Sequence, residues 1–169
     1  MSPSRVRATR EELAVEVSDR QKILRVSPRW LARIVRAALR AQRVERAEIG
    51  IALVDDRRIA AVHGRWLGDA GPTDVITFDL AAGAGPRTAA GVVGDIVVSA
   101  ETARRSARAA GWTPHRELAY YVVHGLLHLT GHDDRSPADR RAMRARERAV
   151  MKACGLPAPP RPVAGARGP

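Results

Sequence analysis

The stretch His124-Gly125-Leu126-Leu127-His128-Leu129-Thr130-Gly131-His132-Asp133-Asp134 decides how this chain is read. Two histidines stand four apart in an apolar run, so their imidazoles leave the same face of a helix. Gly131 suits the left-handed turn that ends such a helix and sends the chain back. That turn can return a third donor, Asp134 or His132, to the same point. Two imidazoles and a carboxylate with one position open form the ligand set of a catalytic zinc site.

The flanks give this segment its setting. Thr113-Pro114 pairs an N-cap with a first-turn proline and predicts a helix running to Thr130. Leu118, Val122, Leu126 and Leu129 form its core-facing stripe, while His124 and His128 lie on another line with Tyr121 and Glu117. Ser136-Pro137 opens a further helix to about Lys152. Its Arg140, Arg141, Arg144, Arg146 and Arg148, with Asp139 and Glu147, read as a solvated face. Upstream, Leu13, Val15 and Val17 alternate as a strand, and Ser27-Pro28 starts a helix with Leu31, Ile34, Val35, Ala38 and Leu39 on its apolar side.

A strand through Ile49, Ile51 and Leu53 precedes a short helix over 56–65. After the loop Gly68–Pro72, strands are expected at Asp74–Leu80 and Val92–Ser99, joined by a flexible connection over Ala81–Ala90. Ser99 then caps a helix from about Ala100 to Ala110. This order predicts an α+β fold: a mixed four-stranded sheet packed with about five helices, one of them a zincin-like metal helix.

At 169 residues the chain suits a single domain, taken as 1–155, with a disordered Pro/Ala/Arg tail over 156–169. There is no apolar run near the roughly 20 residues of a membrane span. Neither is there a secretory signal pattern, and Cys154 is the only cysteine, so a cytoplasmic protein without membrane association is expected. The net charge of +11 points to a polyanionic partner such as RNA. Arginine supplies nearly all of it, which also fits the coding bias of a GC-rich genome.

In zinc proteases the helix reads His-Glu-x-x-His, and the glutamate is the base that activates water. Here that position is Gly125, which has no side chain to serve. The metal scaffold is kept and the protease base is missing, which argues against ordinary peptide hydrolysis. Metal-assisted attack on phosphorus remains open to such a site.

His124 through Asp133 match, at every fixed position, the signature His-Gly-x-Leu-His-Leu-x-Gly-x-Asp-His of the YbeY endoribonucleases, the rRNA maturation factors. Pro72-Thr73-Asp74-Val75-Ile76-Thr77-Phe78 and Gly94-Asp95-Ile96-Val97-Val98-Ser99 resemble two further strands of that family, in the same order. The resemblance spans residues 12–155. It implies a zinc-dependent, single-strand-specific endoribonuclease with one Zn2+ per chain. Its implied work is 16S rRNA 3′-end maturation and ribosome quality control, with the rRNA precursor and the small ribosomal subunit as partners. It also implies a positively charged groove above the metal.

Two positions depart from the family. Its third histidine falls on Asp134, which keeps a ligand but adds a negative charge; His132 is the rival. An arginine usual in the family, six residues before Thr73, is Leu67 here, and Arg65 is the weaker candidate to reach the groove. Thr73 and Asp74 are candidates to line that groove, or else serve as a turn and strand start. Asp95 and Glu117 are candidates to hydrogen-bond the ligand histidines from behind. His63 and His115 read as surface residues, and Trp66 and Trp112 either stack on bases or pack at the core rim.

Overall fold

A computed structural model describes residues 12–69, 71–81 and 91–158. Residues 1–11, residue 70, residues 82–90 and the tail from residue 159 lie outside the described residues, so the readings made of them stand as expectations. The elements are β1 (Glu12–Asp19), α1 (Pro28–Ala41), β2 (Arg46–Val54), α2 (Asp56–Leu67), β3 (Val75–Asp79), β4 (Val92–Ser99), α3 (Ala100–Ala109), α4 (Pro114–Leu129) and α5 (Pro137–Ala153). Helix α2 runs two residues beyond the expected end. Gly68, left-handed at φ 74°, terminates it.

The sheet order is β1-β2-β4-β3. Strands β1, β2 and β4 are parallel, and β3 runs antiparallel to β4. Among the described residues, the α+β class with a four-stranded mixed sheet and five helices is as the sequence predicts.

Strand alternation divides the sheet into two faces. Ile49, Ile51, Leu53, Ile96 and Val98 face a large core beneath α1, α3, α4 and α5. Val54, Ile76, Phe78 and Val97 face the other way, where α2 packs through Ile59, Val62 and Leu67. Each helix start is chemically marked. Ser27, Asp55, Ser99 and Thr113 accept from the third residue beyond them, and Ser136 forms a reciprocal capping box with Asp139. Ser99 closes β4 and caps α3 at once, so the strand passes into the helix without a loop.

Helix α4 is the central element. The sequence assigns it one core stripe, yet every residue from Glu117 to Leu127 is buried. Sheet, α3, α1 and α5 surround it, so the line carrying the histidines is enclosed as well. Gly125 is where the helix lies closest to the sheet: a β-carbon there would sit 2.9 Å from Thr77 Cγ2 and 3.2 Å from Ile96 Cγ2. Gly94 on β4 plays the matching part, since a β-carbon would meet Leu129 at 2.8 Å and the Phe78 carbonyl at 2.7 Å.

Candidate metal centre

The C-terminal end of α4 builds the site. Thr130 caps the helix and Gly131 follows at φ 98°. The Gly131 amide donates to the His128 carbonyl at 3.0 Å and the His132 amide to the Leu127 carbonyl at 2.9 Å. This is the two-bond Schellman closure. It reverses the chain and carries Asp133 and Asp134 back over the helix. From α5, Arg140 holds the returning segment by donating to the carbonyls of Asp134 at 3.3 Å and Arg135 at 2.8 Å.

His124, His128 and Asp134 converge, with one donor atom of each inside a 4.8 Å circle. The two Nε2 atoms are 3.0 Å apart. Asp134 Oδ2 lies 4.0 Å from the first and 3.9 Å from the second. Tetrahedral ligands at zinc-like bond lengths stand about 3.4 Å from one another, so the spread brackets a metal's needs.

The outer hydrogen bonds fix which imidazole nitrogens are free. His124 Nδ1 lies 2.6 Å from Glu147 Oε1, and His128 Nδ1 lies 3.1 Å from the His132 carbonyl. Both partners are acceptors, which suits a proton on each Nδ1 and leaves each Nε2 as the atom available to a metal. Burial is the largest of the influences that push the His128 pKa below its ordinary value. With both Nε2 atoms deprotonated, as metal binding requires, their lone pairs and the carboxylate oxygen converge on a point where a cation joins them. The group therefore fits a metal ion, and the donor set of two imidazoles and one carboxylate suits zinc.

Glu147 is the residue that sequence reasoning misplaced. It belongs to no solvated face: it is buried, accepts from Tyr120 Oη at 2.9 Å through Oε2, and holds His124 through Oε1. Its signal was spacing, because Met143, Glu147, Val150 and Met151 fall on the buried side of α5. A carboxylate at an apolar-stripe position requires a buried partner. Arg146 also leaves the expected solvated face. Asp139 stays in contact with solvent while its carboxylate accepts from the Ser136 amide at 3.2 Å in the α5 cap, and Arg146 donates to the Ala41 carbonyl at 3.0 Å.

The remaining candidates separate clearly. Asp95 does not support the histidines: it alternates with Gly94 and Ile96, which face α4, so its side chain lies on the α2 side of the sheet against Gly50. Glu117 is buried two turns before His124 and hydrogen-bonds Tyr121, whose pKa is raised by burial. Asp74 is buried at the start of β3, where Oδ1 accepts from Thr73 Oγ1 at 3.1 Å and the Val75 amide at 2.8 Å. Burial raises its pKa, and the Val75 amide opposes that rise.

Arg65 stays apart from the histidines. Its guanidinium lies 5.6 Å over the ring of Trp66, which packs edge-on to Phe78 on the α2 side. Leu67 is half-buried in the small apolar cluster there. His132 gives the site its carbonyl only, while its ring lines a separate cavity beside Arg146. His63 and His115 bond the carbonyls of Gly71 and Arg25. Trp112 packs against the core and Trp66 is 64% exposed.

A helix-borne histidine pair closed by a downstream carboxylate, on a mixed sheet, defines a chain with a zincin-like metal helix. A family model described as Endoribonuclease YbeY matches residues 14–155, and the chain belongs to this family. The Endoribonuclease YbeY of Syntrophus aciditrophicus (strain SB) is 33% identical over 144 residues, covering 84% of this chain and 90% of that protein. That of Anaeromyxobacter sp. (strain Fw109-5) is 45% identical over 112 residues, covering 65% of this chain and 56% of that protein. The match thus spans little more than half of the Anaeromyxobacter relative. The solution structure of TM1509 from Thermotoga maritima shares the fold, with a TM-score of 0.55, 20% identity and coverage of 88% of this chain and 99% of that one.

Proposed function

We propose that this protein is a metal-dependent endoribonuclease that cuts single-stranded RNA, with one Zn2+ held by His124, His128 and Asp134. The observation that carries this reading is the pair of Nε2 lone pairs 3.0 Å apart beside the Asp134 carboxylate, in a chain of the YbeY family. A zinc ion there supplies Lewis acidity toward a phosphoryl oxygen and lowers the pKa of a bound water.

The protein's own groups do the rest. Glu147 and the His132 carbonyl fix the two imidazole tautomers and ring planes. The Schellman turn and Arg140 hold Asp134 in reach. Asp134 adds a charge that a third imidazole would not, making a bound water less acidic than at a three-histidine site. Thr73 and Asp74, at the entry to β3, are the residues we assign to meet the RNA strand, while Arg65 has no part in the reading.

The natural setting we infer is 16S rRNA 3′-end maturation and ribosome quality control on the small subunit, in the cytoplasm. Net charge supports a polyanionic substrate, and among the described residues no helix is long and apolar enough to cross a membrane. A metalloprotease reading lacks its base, because position 125 is glycine and faces the sheet instead of the metal group. The deciding experiment compares zinc-loaded and chelator-stripped protein on a single-stranded 16S 3′ precursor and on its duplex. Cleavage of the single strand by the loaded form alone is expected. Equal cutting by the stripped form overturns the proposal.

A further inference from the structure

A second cavity, of about 380 Å³, opens where the turn after α1 meets the starts of β2 and β4, the cap of α4 and the side of α5. Arg43, Arg46, His132 and Arg146 line it, with Glu45 as the carboxylate at its edge. Arg146 is the most telling of these. One of its Nη atoms is used on the neutral Ala41 carbonyl, and its buried Nε–H has no acceptor among the described residues. Arg146 is half-buried, so its guanidinium is partly withdrawn from water, and an anion in the cavity it lines offsets that cost.

Arg43 stands at the mouth in a left-handed turn at φ 58°. Arg46 is partly offset by Glu12, 3.8 Å away. Three arginines against Glu45 leave the lining a net charge of about +2, reduced by the contact of Arg46 with Glu12, and that excess suits a phosphodiester group. Arginine forks suit phosphate oxygens in a way that a lysine point charge does not. The cavity also adjoins the metal group through one residue, since the His132 ring lines it while the His132 carbonyl receives the His128 Nδ1 proton.

We infer that this cavity is a phosphate subsite that grips the RNA backbone away from the scissile bond, with Arg146 and Arg43 as its anchors. This rests on the endoribonuclease reading and adds a backbone contact beside the metal group but apart from its ligands. The test uses the full-length zinc-loaded protein with a fluorescent single-stranded RNA 12-mer. Anisotropy gives Kd across a salt series, and cleavage gives kcat and KM. The variants are Arg146→Gln and Arg43→Asn, the second chosen because asparagine tolerates the left-handed backbone.

Each variant is expected to weaken binding by about fivefold, with the loss in KM, and to flatten the slope of log Kd against log salt by about 0.7 per lost phosphate contact. Unchanged Kd and slope in Arg43→Asn and in folded Arg146→Gln overturn the inference while the wild type still binds and cuts. If Arg146→Gln melts early through loss of its Ala41 bond, Arg43→Asn alone decides. A wild type that neither binds nor cuts the 12-mer fails the endoribonuclease reading itself, and the subsite with it.

Discussion

His124 and Glu147, 23 positions apart in the chain, meet in a buried hydrogen bond of 2.6 Å between imidazole Nδ1 and carboxylate Oε1. The second carboxylate oxygen is occupied by Tyr120 Oη at 2.9 Å. The bond joins α5 to the centre of α4 and sets the direction in which the His124 lone pair points. Removing such an outer partner usually costs 10–100-fold in metal affinity. Glu147→Gln is therefore expected to weaken zinc binding by about tenfold or more, measured by competition with a chromogenic chelator. Tyr120→Phe, which leaves the imidazole bond in place, should have a smaller effect. Equal zinc affinity in wild type and Glu147→Gln would show that the bond only packs α5 on α4.

Asp134 and His132 are distinguished by where their side chains go. The carboxylate turns to the histidine pair, and the imidazole turns to the cavity beside Arg146. Metal content of purified protein, read by mass spectrometry, should fall to a small fraction in Asp134→Ala. It should stay near one per chain in His132→Ala, because the His128 bond uses the backbone carbonyl, which alanine keeps. The reverse pattern would make His132 the third ligand.

Gly125 carries a packing requirement. Alanine there gains about 1 kcal/mol of helix propensity. Its methyl group, however, would lie 2.9 Å from Thr77 Cγ2 and 3.2 Å from Ile96 Cγ2, an overpacking typically worth about 1–3 kcal/mol. Gly125→Ala is expected to be less stable by about 1 kcal/mol in urea denaturation. Gly125→Glu restores the His-Glu-x-x-His pattern on paper, but points the carboxylate into the sheet. It should fail to fold stably and should gain no peptidase activity; a folded, peptide-cleaving Gly125→Glu would refute this account.

The fold was legible because local signals and topology agreed. Each helix start carried its capping residue, and the strands carried their β-branched alternation. The histidine pair was legible because helical spacing alone puts i and i+4 on one face. Glu147 was hidden by its neighbours: arginines on both sides made a charged helix look uniformly solvated, and only its register with Met143, Val150 and Met151 disclosed the buried side. Asp95 failed for the converse reason. An acidic residue in a strand looked functional, but pleat parity with Gly94 and Ile96 sends it to the far face, and which face holds the metal helix is a tertiary fact. Arg65 failed likewise, because no local pattern tells which side of the sheet α2 will cover.

Asp56 offers a test of stability against pH away from the metal. It sits at the first turn of α2 and accepts from Ser99 Oγ at 2.5 Å, Thr102 Oγ1 at 2.7 Å and Arg105 Nη1 at 2.8 Å. Burial pushes its pKa up, and these three donors more than reverse that, leaving the carboxyl below its ordinary value. A depressed folded pKa means stability that is fully present above the unfolded value near pH 4 and lost as pH falls through the folded one. The network ties α2 to the β4–α3 junction across the sheet, so its loss loosens the only helix among the described residues that covers the far face. Asp56→Asn should cost about 1–2 kcal/mol at pH 7, as a charge-assisted network reduced to neutral hydrogen bonds. The deficit should shrink as pH drops below about 4, where the wild-type carboxyl also becomes neutral. Urea midpoints at pH 7 and pH 3.5 measure both, and a deficit that persists undiminished at the lower pH would assign the cost to geometry instead of charge.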